Sequence, residues 1–461
     1  MYSYKVATVA GAFGNLKATK LPNGNIALAG SASATPDGRL ANPETETKPY
    51  TSAKIYTSLF VRHWDTWKTE NRNAIWYSAL EKRNDRYVLA SKGFVNALAG
   101  TKLESPVPPF GGTADFDIGP AGLVFVAKDP ELDPAIYTKT DLYYVPLTNF
   151  TEEKAPSPKI IKTPGLEGYT QSPVFSHSGR KVAFTRMRSK QYESDKTRLH
   201  VLPDIGDLAK LPQEFFATKD GKGAWDYRPD AILWSADDSE LFVTAEKEAR
   251  NRLWVIPSDP AKATKLPTEV KTTDGSVSEI HQLAEGSSKL LVTSTSLIDN
   301  SAYSVVDAKA GKFEVVSSTS NEGRSFGLSR SSVSDFWYKG DGGKYDVHAL
   351  VMKPSDFDPK KKYPLAFLIH GGPQGAWTDG WSTRWNPAIF AEQGYVVVAP
   401  NPTGSSGYGM ALQDGITGEW GGRPYKDLEK AFEYVEKKMP YVDTNRAVAL
   451  GASYGGYMIS T

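Results

Sequence analysis

Two short patterns alternate through the first 325 or so residues, and together they restrict the fold more than any other feature of the chain. The first reads strand, tight polar turn, strand. Ser172-Pro173-Val174-Phe175-Ser176 passes through Ser178-Gly179-Arg180 to Val182-Ala183-Phe184-Thr185. Arg228-Pro229-Asp230-Ala231-Ile232-Leu233-Trp234-Ser235 passes through Asp238-Ser239-Glu240 to Leu241-Phe242-Val243-Thr244. Residues 116–118 and 124–126 form a looser copy, and Leu290-Leu291-Val292-Thr293 begins another. The second pattern is an apolar element that follows each copy: Ala74-Ile75-Trp76-Tyr77, Leu142-Tyr143-Tyr144-Val145-Pro146, Leu199-His200-Val201-Leu202-Pro203 and Leu253-Trp254-Val255-Ile256-Pro257, with 302–306 fitting less well. Positions 76, 144, 201 and 255 lie 68, 57 and 54 residues apart. Such intervals fit four-stranded propeller blades with some long loops. The repeat predicts a β-propeller of about five blades over residues 1–325, incomplete at its amino end. A closing proline, which cannot donate to a ladder, predicts that the second pattern is an edge strand, and it places His200 on such a strand. A β-sandwich is the competing architecture, and the number of copies disfavours it.

Near residue 330 the pattern changes. Residues 336–338 and 347–352 read as a hairpin across Asp341-Gly342-Gly343. Strands follow at 364–369, 395–399 and 448–450, and 426–438 has helical periodicity through Leu428, Ala431, Phe432 and Val435. Asp427 suits the first turn or cap of that helix. Continuously apolar strands alternating with a helix predict a mixed, mostly parallel sheet covered on both faces, in residues 326–461.

The last of these strands runs into Gly451-Ala452-Ser453-Tyr454-Gly455-Gly456. This is the G-x-S-x-G spacing of a nucleophile elbow, the strand-to-helix turn that exposes a serine above an α/β-hydrolase sheet. Ser453 is the candidate nucleophile. His370-Gly371-Gly372-Pro373 closes the 364–369 strand, where such folds place an oxyanion-hole loop. The candidate oxyanion donors are the backbone N–H groups of Gly372 and Tyr454. His370 precedes the serine and is expected to orient its loop, not to act as a base. The glycine-rich stretch 401–409 is expected mainly as scaffold. In this fold the acid and histidine follow the serine in chain order. Only 454–461 follow it here, so a fragment with little turnover of its own is expected.

The remaining features narrow the class. The net charge is +1 and cysteine is absent, which gives no electrostatic case for nucleic acid and removes disulfides, thiolate zinc sites and a cysteine nucleophile. The six histidines show no paired ligand spacing, so neither metal nor cofactor is expected. No apolar run approaches a membrane span. Arg62-His63-Trp64-Asp65-Thr66-Trp67 is an unusual aromatic cluster. It reads either as strand-end packing or as a place where Asp65 with Trp64 or Trp67 holds a cationic substrate group.

Taken together, these residues resemble the prolyl oligopeptidase family of serine peptidases. The resemblance rests on the blade strands, His370-Gly-Gly-Pro, Asn401-Pro-Thr-Gly-Ser-Ser-Gly-Tyr-Gly, Trp420-Gly and Gly451-Ala-Ser-Tyr-Gly-Gly-Tyr. The elbow and the 62–67 cluster resemble its dipeptidyl-peptidase V branch of secreted fungal enzymes. The resemblance implies release of amino-terminal dipeptides from oligopeptides through an acyl-enzyme on Ser453, an extracellular setting, and a propeller that gates access. Asp65 and Trp67 are the candidates for holding the substrate amine. Glu152-Glu153, the one pair similar to the amine-binding glutamates of another branch, lies in a linker-like stretch and is not assigned that role. The alternatives are an acylaminoacyl peptidase on the same scaffold and a non-catalytic propeller binding module.

Overall fold

The computed structural model describes residues 3–47, 50–57 and 59–461. Contacts divide the chain into two compact units. One holds Met1–Lys222, Asp230–Leu241 and Pro257–Thr264, and the other holds Gly223–Pro229, Phe242–Ile256 and Lys265–Thr461.

Through residue 318 the described residues form five successive sheets of four or five strands, the blades of a β-propeller, besides a two-stranded pair at Arg62–His63 and Thr66–Trp67. The first pairs Gly14–Lys20, Ile26–Ala34, Arg72–Arg83 and Arg86–Leu89, with Val95–Asn96 added to its third strand. The second, third and fifth are four-stranded meanders beginning at Phe116, Thr170 and Ser276, and the unit boundary runs through the strands of the fourth, which begins at Pro229. Burial explains the apolar repeats. Along Gly122–Lys128, Leu123, Phe125 and Ala127 join one core with Ile75 and Tyr77, while Val124 and Val126 join another with Phe184 and Leu202. A strand covered on both faces reads as a near-continuous apolar run. Arg186, 1 % exposed, ties the second and third sheets together. It donates to the carbonyls of Thr140 (2.7 Å) and Leu166 (2.8 Å) and to Asp141 Oδ1 (3.1 Å), so the buried charge is paired and its N–H groups are used.

The prolines mislead in one respect. Thr140–Pro146, Arg198–Leu202 and Arg250–Pro257 are the third strands of their sheets, paired on both sides, and not edges. The outer strand is short: Lys159–Ile161 pairs only with Leu142, Tyr143 and Tyr144, so Pro146 lies beyond the ladder it could not join. His200 is accordingly interior, stacked on Phe184 with ring centroids 5.5 Å apart. The strand at Leu290–Thr295 is the second of its sheet, not the first.

The sixth sheet begins at Val333 and is that of an α/β-hydrolase. Its order is Val333–Lys339, Asp346–Met352, Val396–Asn401, Tyr363–Ile369, Val442–Gly451. The first two pairings are antiparallel and the last two parallel. Alternate residues again face different cores. Leu365, Phe367, Val396 and Val398 pack with Leu428, Ala431 and Val435 of the helix Arg423–Lys438. Ala366, Leu368, Val397 and Ala399 pack on the other face with Ala388 and Ala391 and with Ala249, Leu297 and Ile298.

Asp427 is not a helix cap. Gly422 holds that position, and Asp427 is fully buried as a four-way acceptor. Asp341 N (2.8 Å), Tyr345 Oη (2.8 Å), Thr403 N (2.8 Å) and Thr403 Oγ1 (2.6 Å) all donate to it. It fastens the front hairpin and the 401–409 loop to one helix.

Candidate active site

The two parallel strands that carry the glycine motifs are neighbours in register, Ile369 opposite Gly451. Both therefore deliver their loops to the carboxyl edge of the sheet at the same level, where open α/β sheets bind ligands. Between strand and helix, Ser453 adopts φ 55°, ψ −122°. A non-glycine residue held there carries strain of order 1–3 kcal/mol, sustained only because its surroundings fix it. The fixing is visible at the flanking glycines. A Cβ on Gly451 would lie 2.6 Å from the backbone of Gly455, and a Cβ on Gly455 would lie 2.2 Å from Ile369 O. The spacing G-x-S-x-G is thus required by helix Tyr454–Ser460 lying against the end of its own strand and the adjacent one.

Ser453 occupies the N-cap position of that helix but makes no capping bond, and its side chain is exposed. The His370–Pro373 loop comes alongside it. A Cβ on Gly371 would meet Ala452 O at 3.2 Å and Ser453 Cβ at 3.5 Å. Among the described residues, the N–H groups of Gly372 and Tyr454 have no hydrogen-bond acceptor. An exposed hydroxyl and backbone amides without acceptors are the kinds of group that an oxyanion site requires.

His370 is buried, and burial lowers its pKa, so its ring is neutral. Nδ1 lies 2.7 Å from Gly371 O, which can only accept, so this nitrogen carries the proton. Nε2 is then left to accept from Ser405 Oγ at 2.9 Å. Both nitrogens are occupied in holding the loop. Asn401 holds it from the other side. Its Oδ1 accepts from Trp377 N (2.7 Å), and its Nδ2 donates to Trp377 O (3.0 Å) and Tyr408 Oη (2.8 Å). Tyr454 is buried, and its hydroxyl donates to Trp420 O at 2.7 Å, which fixes the side chain.

Sequence reading missed three supports. Ser405 Oγ meets His370 Nε2 at 2.9 Å and holds the ring on its second side. Ser406 Oγ donates to Glu246 Oε2 at 2.7 Å, a carboxyl whose pKa burial raises. Asp379, fully buried, accepts from Leu297 N at 3.0 Å and from Arg330, with Arg250 Nη2 at 3.3 Å. The serine-rich loop was a signal for the first two; no local pattern marks Asp379.

The other candidates lie in the first unit. Asp65 and Trp67 belong to a hairpin of Arg62–His63 and Thr66–Trp67. Asp65 Oδ1 accepts from its neighbour Thr66 Oγ1 (3.1 Å), and Trp67 stacks on Tyr56 (6.1 Å) beneath the Arg62 guanidinium (5.4 Å).

A propeller followed by an α/β-hydrolase sheet with this elbow defines the class, and sequence comparison agrees: residues 381–461 match the profile of the prolyl oligopeptidase family. Over those residues the chain resembles that family. It is 42% identical over 464 residues to dipeptidyl-peptidase 5 of Aspergillus fumigatus and 41% identical over 464 residues to that of Arthroderma otae, covering 99% of this chain in each case. The chain spans 62% of the length of these relatives. Among solved structures, the Pyrococcus horikoshii acylaminoacyl peptidase superposes with a TM-score of 0.68 at 13% identity, over 99% of this chain and 61% of that one. A Mycobacterium tuberculosis puromycin-hydrolyzing peptidase gives 0.57 at 18% identity, over 97% and 59%. At these identities the superpositions speak to fold alone.

Proposed function

We propose that the whole protein is a serine dipeptidyl peptidase that removes amino-terminal dipeptides from oligopeptides outside the cell. Residues 326–461 contribute the nucleophile, and the propeller to residue 325 gates access. Ser453 Oγ attacks the carbonyl of the second residue while the N–H groups of Gly372 and Tyr454 take the developing oxyanion. The amine of the shortened peptide leaves with a proton, and water releases the dipeptide from the acyl-enzyme. The observation that carries this reading is the backbone of Ser453, strained and exposed, with Gly371 against it. The dipeptide unit is supported by identity to the two dipeptidyl-peptidases. The extracellular setting rests on the resemblance to secreted enzymes; no helix among the described residues is long and apolar enough to cross a membrane.

Among the described residues Ser453 Oγ has no histidine partner, and His370 is committed to its loop. Catalysis therefore draws on a base outside this set. The test is hydrolysis of Ala-Ala-p-nitroanilide by a chain extended to the length of the relatives, with Ser453→Ala and an acetyl-Ala-p-nitroanilide control. Turnover of the free-amine substrate, abolished by the substitution, is expected. Preference for the acetylated reporter would instead establish an acylaminoacyl peptidase, and turnover that survives Ser453→Ala would remove the proposed nucleophile. In the same enzyme, Asp65→Asn should raise KM for the free-amine substrate, and an unchanged KM would free Asp65 of the amine-binding role.

A further inference from the structure

On the flank of the 401–409 loop, within the second unit, is a cavity of about 350 Å³ that Ser453 does not line. Its volume lies at the small end of the range for ligand sites. Four aromatic residues, Tyr227, Trp337, Tyr345 and Tyr408, form much of its wall, and each is fixed by contacts of its own. Tyr408 Oη is held between His348 Nδ1 (2.7 Å) and Asn401 Nδ2 (2.8 Å). Tyr345 Oη donates to Asp427 (2.8 Å) and lies 2.9 Å from Thr403 Oγ1, which donates to the same carboxylate. Trp337 lies against the His348 ring at 4.6 Å, and Tyr227 stacks on Trp254 at 5.6 Å. The wall is rigid before any ligand arrives, so little side-chain entropy remains to be lost on binding.

The rim carries charges of both signs. Glu248 and Arg423 line the cavity, are exposed, and have no ion-pair or hydrogen-bond partner for their side chains among the described residues. The third charged lining group, Asp346, is engaged by Lys339 at 2.9 Å. Glu248 is itself anchored, its N–H donating to Gly407 O at 3.0 Å. One unspent carboxylate, one unspent guanidinium and fixed aromatic faces suit a small zwitterion with an apolar body. The carboxylate and the rings receive an ammonium, and the guanidinium receives a carboxylate.

We propose that this cavity binds a free dipeptide with apolar side chains, at a site separate from Ser453. The choice of a dipeptide among zwitterions rests on the proposed function, whose product would be such a molecule. Bound there, it would load the same loop that carries Ser405 and Asn401, and through them the segment 370–377 beside the nucleophile.

The experiment is titration of the protein with Leu-Leu, followed by tryptophan fluorescence and calorimetry, against acetyl-Leu-Leu and Leu-Leu-amide. Saturable 1:1 binding is expected. Blocking either terminus, or Glu248→Gln or Arg423→Gln, should weaken it about tenfold or more, the effect of losing one charge-assisted contact. Ser453→Ala should leave it unchanged. Both rim substitutions are isosteric or exposed, and an unaltered circular dichroism spectrum separates lost binding from lost folding. Absence of saturation at millimolar Leu-Leu, or binding indifferent to both rim variants, would overturn the site. Because no turnover is needed, the peptidase reading and this one fail separately: hydrolysis without binding here removes only the cavity's role, and binding without hydrolysis removes only the enzyme's.

Discussion

Gly455 and Gly456 are adjacent in one helix, yet replacing each by alanine should have opposite effects. A Cβ on Gly455 would sit 2.2 Å from Ile369 O, far inside any carbon–oxygen contact, and a tight 3.0 Å from His370 O. The obstacle is backbone of the central sheet, which cannot turn away as a side chain could. The helix Tyr454–Ser460 would have to lift from the sheet, and overpacking of this kind costs about 1–3 kcal/mol, occasionally more. Gly456 is different. Its nearest neighbour would be Gly451 O at 3.6 Å, an ordinary contact. There alanine gains its helical advantage over glycine, up to about 1 kcal/mol. Hydrogen exchange of the amides in 454–461 reads this directly as local opening. Gly455→Ala should speed exchange roughly thirtyfold, equivalent to about 2 kcal/mol, and Gly456→Ala should slow it by up to about fivefold. Equal effects from the two substitutions, or protection retained in Gly455→Ala, would refute the claim that close packing dictates the elbow's spacing.

Three further outcomes are expected. Asp427→Ala strands four donors at once and should lower the stability of the second unit by about 3–5 kcal/mol in urea denaturation, with Asn restoring part of it. His200 is buried, and burial brings its pKa down to about 4, below the unfolded value of 6.5. The unfolded chain therefore takes the proton first: stability is full above pH 6.5 and declines towards pH 4, by up to about 3 kcal/mol. His200→Phe, which keeps the stack on Phe184, should flatten that acid limb in near-ultraviolet circular dichroism, and an unchanged limb would show that His200 does not set it. Tyr454→Phe removes the 2.7 Å bond to Trp420 O and should cost about 1 kcal/mol of stability. In the active enzyme it should leave kcat within about threefold, because the proposed oxyanion donor is the backbone N–H; a hundredfold loss would assign that work to the side chain.

The parts of this molecule that were legible from sequence are those whose cause is local. A serine between glycines after an apolar strand announces the elbow because the backbone approach at Gly451 and Gly455 admits no Cβ. Blade strands announced themselves because burial on both faces favours long apolar runs, as in Gly122–Ala127. Errors arose where the deciding partner is distant in the chain. Whether Thr140–Pro146 is an edge depends on the length of Lys159–Ile161, not on its proline. Asp427 has the composition of a helix start, but its acceptor role is set by residues 341, 345 and 403. The closeness of Gly371 to Ser453 follows from two strands being neighbours, which sequence order alone does not specify.

The buried carboxylate of Asp379 limits how this α/β sheet could be recombined with other scaffolds. Its partners straddle residue 326, with Arg330 after it and Arg250 and Leu297 before it. A segment grafted from residue 326 onward would carry the anion into the transplant with only one of its two arginines. It would also leave behind Ala249, Leu297 and Ile298, which complete the apolar face under Leu368 and Val397. A working chimera must therefore bring its fifth blade and the turn at Ala249 with it, so the inheritable module is larger than the hydrolase sheet.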